Sequence, residues 1–360
     1  MSQHSGMAAP PSGIASLIPA RIRNILAPES GHLRELDGIR AFSIMLVLAA
    51  HLLPLTFTGW ELNESAGIAG MSLFFSLSGF LIASILWKRP QVKPFLIRRV
   101  ARIAPLMYLY AVVVALVVYW RPDTFLAILT FTLNYNDPQI YKGVSHLWSL
   151  CVEMHFYLGI ALAVGLFGRK GFWIVPIAAV AVTGLRIEDG AVASIRTHHR
   201  IDEILTGALL GLWWANRGTP ALQGAVWQGI ETWVRRLLPL LFVLWLLACY
   251  PPARPLPYFR PYITMLMVSG VMLQASDGRL KQFLSTAPLG FIARISYALY
   301  IWHPLMALGP MSQGSAPVRY LIKRPITFLL TFIAATLSTA YYEKIFTDWA
   351  RRLTGQSRRQ

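Results

Sequence analysis

Long apolar runs separated by short polar segments make up most of the chain. An α-helix of roughly 20 apolar residues is long enough to cross the hydrocarbon core of a bilayer. By this measure we predict ten spans, at residues 38–55, 67–87, 95–119, 146–168, 171–185, 201–216, 235–250, 260–275, 287–309 and 321–343. The pattern therefore predicts an all-α fold, a polytopic membrane helix bundle of about ten transmembrane helices.

The apolar stretch at residues 123–136 does not fit this series. It is short and ends in a polar group of residues, Asn134, Asn136, Asp137 and Pro138. Counting it as a span would move every later loop to the opposite side of the membrane. We therefore expect an outer-surface or re-entrant segment here.

Composition and charge agree with a membrane protein. Of the 360 residues, 55% are hydrophobic and only 14% are charged, whereas soluble domains average about 25% charged residues. The net charge of +17 could indicate a nucleic-acid partner. The basic residues, however, lie between apolar segments and do not form the stripe with interleaved aromatics that such a partner requires. We expect the lipid bilayer as a partner and no nucleic acid.

The positions of the basic residues predict the topology. With ten spans and both termini cytoplasmic, most of the 33 lysine and arginine residues fall on the cytoplasmic side, which agrees with the positive-inside bias. The chain then divides into a cytoplasmic N-terminal segment at 1–33, an integral membrane domain at 34–345 and a basic cytoplasmic tail at 346–360. In the N-terminal segment we expect a short surface helix within residues 13–26 and no signal peptide.

Two ionisable residues share one face of the first span. Arg40 and His51 are eleven residues apart, close to three helical turns, which places them about 16 Å apart along the helix axis. Ionisable groups inside a membrane are costly and are commonly functional, so this pair predicts a polar path through the protein. The alternative is a snorkelling arginine and a histidine packed at the interface.

The start of the fourth span carries a carboxylate on the same side of the membrane as His51. Ser149 and Glu153 are four residues apart and lie on one helix face. We expect Glu153 to pair with His51, because a carboxylate beside an imidazole fixes its tautomer and raises its basicity. His146 and His155 are competing partners. A Glu153 placed in the outer headgroup region is the simpler alternative.

Arginines cluster on the cytoplasmic side between spans two and three. Arg98, Arg99 and Arg102 are neighbours by helical spacing, and grouped guanidinium groups suit the several phosphates of a nucleotide-like ligand. The alternative is that these arginines hold the topology and bind anionic lipid headgroups. Neither the two cysteines nor the histidines have the spacing of metal ligands, so we expect no metal.

Further polar residues lie at the outer ends of spans six and nine. His303, at the end of span nine, is a candidate for positioning a substrate, with packing at the interface as the alternative. Arg200 and Asp202 open span six, where the two charges could simply neutralise each other.

Taken in this order, the motifs resemble the membrane-bound acyltransferase family 3. The family's arginine, ten intervening residues and histidine are matched by Arg40 and His51. Its other motifs are matched at Phe74–Phe80 (Phe-Phe-x-x-Ser-Gly-Phe), at Arg99–Arg102 (Arg-x-x-Arg) with Pro105, at Trp148–Glu153 (Trp-Ser-Leu-x-Val-Glu) and at Ser296–Pro304 (Ser-Tyr-x-Leu-Tyr-x-Trp-His-Pro). The resemblance covers roughly residues 34–345. The chain departs from it at Cys151, where serine is usual, and at Met154 and His155, where Glu-Gln is usual.

The resemblance implies a bacterial inner-membrane enzyme that moves an acyl group from cytoplasmic acyl-CoA, most simply acetyl-CoA, to a sugar hydroxyl. The acceptor would be a surface polysaccharide or a lipid-linked sugar, as in polysaccharide biosynthesis. The site residues implied are His51, Glu153 and Arg40 for catalysis, Arg98, Arg99 and Arg102 for the acyl-CoA, and Ser149, Trp148 and His303 for the substrate. Direct transfer and an acyl-histidine intermediate are both open.

A membrane transporter is the alternative class. Arg40, His51 and Glu153 would then relay protons coupled to the movement of a sugar or an organic acid. Transporters often carry internal repeats with broken helices in matching halves, and no such repeat is detectable in the sequence.

Overall fold

The computed structural model describes residues 33–57, 60–136 and 143–355, together with Pro19, Arg21, Ile22 and Ile25. Most of the N-terminal segment, including most of the surface helix predicted within residues 13–26, lies outside these residues. So do Asp137, Pro138 and residues 356–360 of the basic tail. Ile25 is buried against the bundle, and its carbonyl accepts a hydrogen bond from Arg294 Nε.

Helices form almost all of the described chain. In order they are α1 (Arg34–Leu52), α2 (Leu62–Lys88), α3 (Val92–Val117), α4 (Pro122–Leu129), α5 (Trp148–Phe167), α6 (Ile174–Glu188), α7 (Thr197–Arg200), α8 (Asp202–Asn216), α9 (Ala225–Arg236), α10 (Leu238–Ala248), α11 (Leu256–Met272), α12 (Arg279–Leu284), α13 (Ala287–Met306), α14 (Arg324–Leu337) and α15 (Lys344–Leu353). Wider π-helical turns at Val318–Lys323 and Ser338–Glu343 join α14 to its neighbours. Two-residue strands, β1 (Thr56–Phe57) and β2 (Trp60–Glu61), pair antiparallel between α1 and α2.

At the centre of the bundle, α2 packs against α1 and α8, and α13 also packs against α1. Two glycines allow α2 and α8 to approach closely. A Cβ added at Gly79 would overlap the carbonyl oxygen of Ile204, and one added at Gly207 would overlap that of Ser76. Small residues at membrane helix interfaces favour packing of this kind because they let the backbones come together. The side chains on α2 are therefore held in fixed register with those on α8.

Each of the ten predicted spans coincides with a helix or a continuous helical stretch. Among the described residues, four stretches are long and apolar enough to cross a membrane by length and composition, Leu62–Lys88, Val92–Val117, Ser145–Glu188 and Val318–Leu353. The fold is therefore a largely helical bundle with membrane-spanning segments. Ten crossings stay a prediction, because several of the other helices, such as α10 with 11 residues, are shorter.

The structure adds detail to two further predicted segments. The apolar stretch at 123–136 holds most of the eight-residue helix α4 and a single turn at Leu133–Tyr135. A helix of that length extends only about 12 Å, which agrees with the prediction that this stretch is not a span; its place at the outer surface stays a prediction. The first part of the predicted basic tail at 346–360 is helical. It continues as α15, and Thr347 and Arg351 line a cavity in the membrane domain.

Candidate active site

Two cavities open at opposite ends of α1 and α2. One, of about 710 Å³, is lined by the start of α1, the end of α2 and the start of α3. The other, of about 430 Å³, is lined by the end of α1, the start of α2 and the start of α5. We call them the arginine cavity and the histidine cavity after the side chains described below. Arg40 lines the first and His51 lines the second.

The arginine cavity is strongly basic. Its wall includes two acidic residues, Asp37 and Glu153, and eight basic residues: Arg40, Lys88, Arg89, Arg98, Arg99, Arg102, Arg294 and Arg351. Helical spacing on α3 turns Arg98, Arg99 and Arg102 to this one space, as the sequence predicted. Arg99 Nε is buried without a hydrogen-bond partner among the described residues. An unpaired guanidinium N–H in a basic cavity is suited to an anionic ligand.

Glu153 lies on the arginine cavity and not beside His51. Its carboxylate accepts hydrogen bonds from Ser78 on α2 and from Tyr157, one turn further along α5. The predicted pairing of Glu153 with His51 is therefore wrong. The physical reason is that Glu153 sits more than a turn into α5, where hydroxyl donors from α2 and from its own helix satisfy it.

A backbone carbonyl fixes the tautomer of His51. His51 Nδ1 lies 2.8 Å from the carbonyl oxygen of Val47, one turn earlier on α1. Because a carbonyl oxygen only accepts, Nδ1 carries the proton in the neutral ring, and Nε2 holds the free lone pair. The ring lies at the wall of the histidine cavity. His51 can therefore act there as a base through Nε2.

Two more histidine rings, those of His303 and His146, lie close to His51. The ring centroid of His303 is 5.0 Å from that of His51 and 5.4 Å from that of His146. His303 is fully buried, and its Nδ1 lies 2.8 Å from the carbonyl oxygen of Tyr300. His303 Nε2 and both ring nitrogens of His146 have no hydrogen-bond partner among the described residues. In the same part of the chain no group of three or more His, Cys, Asp or Glu side chains is arranged to hold a metal ion.

A pair of stacked aromatic rings separates the two cavities. Phe74 lines the arginine cavity and Tyr300 lines the histidine cavity; their rings are 6.4 Å apart and 11° from parallel. Tyr300 donates a hydrogen bond to the carbonyl of His146, and Ser149 Oγ lies 2.6 Å from the Tyr300 hydroxyl. Ser149, predicted to bind substrate, is thus fully buried and holds Tyr300 in place.

A buried ionic cluster adjoins the histidine cavity. Arg186 NH1 lies 2.6 Å from an Asp202 carboxylate oxygen, and Arg260 Nε lies 2.6 Å from Glu203. Arg200 approaches Glu203 only to 3.5 Å. The suggested neutralisation of Arg200 by Asp202 is wrong, since Asp202 is bound to Arg186.

Trp148, predicted to bind substrate, lines the histidine cavity, with the Arg200 guanidinium 5.6 Å from its ring centroid. Of the predicted site residues, the structure groups Arg40, Arg98, Arg99, Arg102 and Glu153 at one cavity. It places His51 and Trp148 at the other cavity and His303 behind His51.

Several site residues are not evident from the sequence. Ser78 and Tyr300 acquire their roles through contacts between segments far apart in the chain, and Tyr157 acquires its role through Glu153, one turn earlier on the same helix. Ser78 and Tyr300 do lie inside the family motifs, which is the one signal that could have found them. Arg200 carries no such signal, since its place beside the cavity depends on the short helix α7 that follows a loop.

Fold and site together define an integral membrane protein with a basic cavity at one end of its bundle and a histidine cavity at the other. The family model described as an acyltransferase domain matches residues 33–343. The chain therefore belongs to this acyltransferase family, and the resemblance found in its motifs is confirmed.

Curated proteins related to the chain are bacterial O-acetyltransferases by name. The chain is 27% identical over 358 residues to peptidoglycan O-acetyltransferase OatA of Listeria monocytogenes, covering 86% of this chain and 55% of that protein. It is 26% identical over 356 residues to putative peptidoglycan O-acetyltransferase YrhL of Bacillus subtilis, covering 86% and 54%. It is 24% identical over 374 residues to O-acetyltransferase OatA of Staphylococcus aureus, covering 90% and 58%. The chain spans about half the length of these relatives. No solved structure matches it.

Proposed function

We propose that this protein is an O-acetyltransferase that takes acetyl from acetyl-CoA in the arginine cavity and passes it to a glycan hydroxyl in the histidine cavity. The observation that carries the proposal is the placement of the two cavities. They lie at opposite ends of α1, and the stacked rings of Phe74 and Tyr300, which we call the aromatic wall, lie between them. A donor and an acceptor could therefore meet from opposite sides of the bundle.

The donor fits the arginine cavity by charge and by length. Acetyl-CoA carries several phosphates, and clustered guanidinium groups bind phosphate through paired charge-assisted hydrogen bonds. From Arg40 to His51 the helix extends about 16 Å, a distance that the extended pantetheine arm can bridge. The phosphates would stay among Arg98, Arg99 and Arg102 while the thioester reaches the aromatic wall.

His51 supplies the base for the transfer. Its Nε2 takes the proton of the acceptor hydroxyl as the hydroxyl oxygen attacks the thioester carbonyl carbon. The carbon–sulfur bond then breaks, and the thiolate of coenzyme A takes the proton from His51. The products are an O-acetyl sugar and free coenzyme A, and His51 returns to its neutral form. The two-step alternative, in which His51 Nε2 itself receives the acetyl group first, uses the same atom.

Charge supports one orientation in the membrane. The arginine cavity holds the basic side chains that the positive-inside bias places on the cytoplasmic face, which is also where acyl-CoA is found in a bacterial cell. With ten crossings, both termini would be cytoplasmic, and the histidine cavity would open outside the inner membrane. The names of the relatives from Listeria and Bacillus support a cell-wall glycan as the acceptor.

Transfer of radiolabelled acetyl from acetyl-CoA to glycan in isolated membranes tests this function. In His51→Gln the label transferred should fall by about 10²–10⁴-fold, because glutamine cannot take the proton of the hydroxyl. His155→Gln is the matched control. His155 contacts Thr197 Oγ1 at 2.7 Å and lines neither cavity, so this variant should transfer label at close to the wild-type rate.

Two results would reject the proposal. If wild-type membranes move no label from acetyl-CoA to any cell-wall glycan, the donor or the acceptor is wrong. If His51→Gln, present at the wild-type level, transfers label as fast as wild type, the base is a different group.

A further inference from the structure

The ionic cluster beside the histidine cavity has more positive than negative charge. Three arginines, Arg186, Arg200 and Arg260, face two carboxylates, Asp202 and Glu203, and all five residues are buried. Arg186 and Arg260 each hold one carboxylate at 2.6 Å. Arg200 is left with the one long contact, 3.5 Å to a carboxylate that is already bound to Arg260. The positive charge that no carboxylate in the cluster neutralises is therefore the charge of Arg200.

Arg200 also lacks hydrogen bonds. Only 3% of its surface is exposed, yet its guanidinium donates no hydrogen bond to any atom in the part of the chain that is described, and Nε has no acceptor. The guanidinium lies over the rings of Trp148 and Phe75, at 5.6 and 6.0 Å from their centroids. These rings hold its position but accept little of its charge.

Arg200 lines the histidine cavity together with His51 and His146. A buried charge without a partner is costly, and a buried donor without an acceptor adds to that cost. No described residue supplies the missing hydrogen-bond acceptor of Arg200, and the cavity that Arg200 lines is where a ligand could supply it. His146 lines the same cavity, and neither of its ring nitrogens has a hydrogen-bond partner among the described residues. Glu64 also lines this cavity but is exposed, so water screens its charge.

We propose that Arg200 binds an anionic group of the acceptor, a carboxylate or a phosphate, and so selects an acidic or phosphorylated sugar. This rests on the function proposed above and names its acceptor class. The guanidinium, held beside the rings of Trp148 and Phe75, would form paired hydrogen bonds with two oxygens of the anion. That contact neutralises the remaining positive charge of the cluster. It also fixes the sugar while its hydroxyl faces His51. A neutral sugar would leave Arg200 unpaired and bind more weakly.

Calorimetric titration of the purified full-length protein in nanodiscs tests this assignment with three sugars of one scaffold. N-acetylglucosamine is neutral, N-acetylglucosamine 1-phosphate adds a phosphate, and N-acetylmuramic acid adds a carboxylate. We expect at least one anionic sugar to bind about tenfold or more tightly than the neutral one, as a hydrogen-bonded charge pair contributes. Whether the phosphate or the carboxylate binds more tightly identifies the source of the anion.

Arg200→Gln should bind the preferred anionic sugar no more tightly than the neutral one. Arg196→Gln is the matched control, since Arg196 lies in the same segment but is exposed and does not line the histidine cavity; it should keep the wild-type preference. If Arg200→Gln does not fold, Arg200→Lys replaces it and should show a reduced preference, because an ammonium cannot make the paired hydrogen bonds of a guanidinium.

The proposal is overturned if wild type binds the three sugars equally or binds none of them. It is also overturned if Arg200→Gln, or Arg200→Lys in its place, keeps the full preference. Because binding is measured without acetyl-CoA, a protein that prefers anionic sugars but transfers no acetyl group would refute the proposed reaction and leave the role of Arg200 standing.

Discussion

At the scale of single residues, the chemistry of the histidine cavity depends on which nitrogen of His51 carries the proton. The carbonyl of Val47 holds the proton on Nδ1, so Nε2 is the basic atom without help from a carboxylate. Glu153 lies at the other cavity and is bound by Ser78 and Tyr157. The sequence could identify both ionisable residues, since each is costly in a membrane. It could not predict their partners, because the Val47 carbonyl is a backbone group that any residue would present and Ser78 comes from another helix.

The pH dependence of acetyl transfer separates these two arrangements. A carboxylate next to His51 would stabilise its protonated form, so removing that carboxylate would move the acid limb of the pH–rate profile to lower pH. In Glu153→Gln we expect the acid limb to stay at the wild-type pH, whatever the change in maximal rate, because the Val47 carbonyl is untouched. The check is kcat/KM for the acceptor, measured across the acid range in both proteins. An acid limb lower by about one pH unit would show that Glu153 does act on His51.

At the scale of helices, the two cavities depend on how closely α2 packs against α8. Helix α2 carries Phe74 of the aromatic wall and Ser78, the partner of Glu153. Helix α8 begins with Asp202 and Glu203 of the ionic cluster. The glycines between these helices let the two backbones approach closely, and of the ionic cluster Arg200 lines the histidine cavity.

Gly207→Ala should disturb this packing. The added methyl group overlaps the backbone of Ser76, and overpacking of a close contact costs about 1–3 kcal/mol. Gly159→Ala is the matched control, since nothing lies within 4 Å of a Cβ at Gly159, and alanine is the better helix former by about 1 kcal/mol. Thermal unfolding of the detergent-solubilised variants should give a lower midpoint for Gly207→Ala and an unchanged or higher one for Gly159→Ala. Equal midpoints would mean that the α2–α8 contact is not tight.

Apolar runs predicted the long helices because lipid-facing and core-facing positions are both apolar in a membrane bundle. They did not predict α12, with six residues, or the hairpin of Thr56–Phe57 and Trp60–Glu61, since such short elements form only where the surrounding helices position them. The sequence also did not predict the ionic cluster that includes Arg186, Arg260 and Glu203. Its members lie on different helices and meet only where α6, α8 and α11 pack together.

At the scale of the whole molecule, the bundle has a strongly basic cavity at one end and the histidine cavity at the other. The arginine cavity collects eight basic side chains at one end, and the histidine cavity presents His51, His146 and Arg200 at the other. The rings of Phe74 and Tyr300 lie between them. Under the proposed function, neither acetyl-CoA nor the glycan would need to cross the membrane, since only the acetyl group would pass from one cavity to the other.

Sealed proteoliposomes test this central claim most directly, because neither acetyl-CoA nor a soluble glycan of N-acetylglucosamine and N-acetylmuramic acid crosses lipid. With labelled acetyl-CoA outside and glycan trapped inside, we predict labelled glycan in wild type and none in His51→Gln. With both substrates outside, we predict no labelled glycan until detergent opens the vesicles, whichever way the protein is inserted. Rapid transfer in intact vesicles with both substrates on one side would contradict the account, because a single face would then serve donor and acceptor alike.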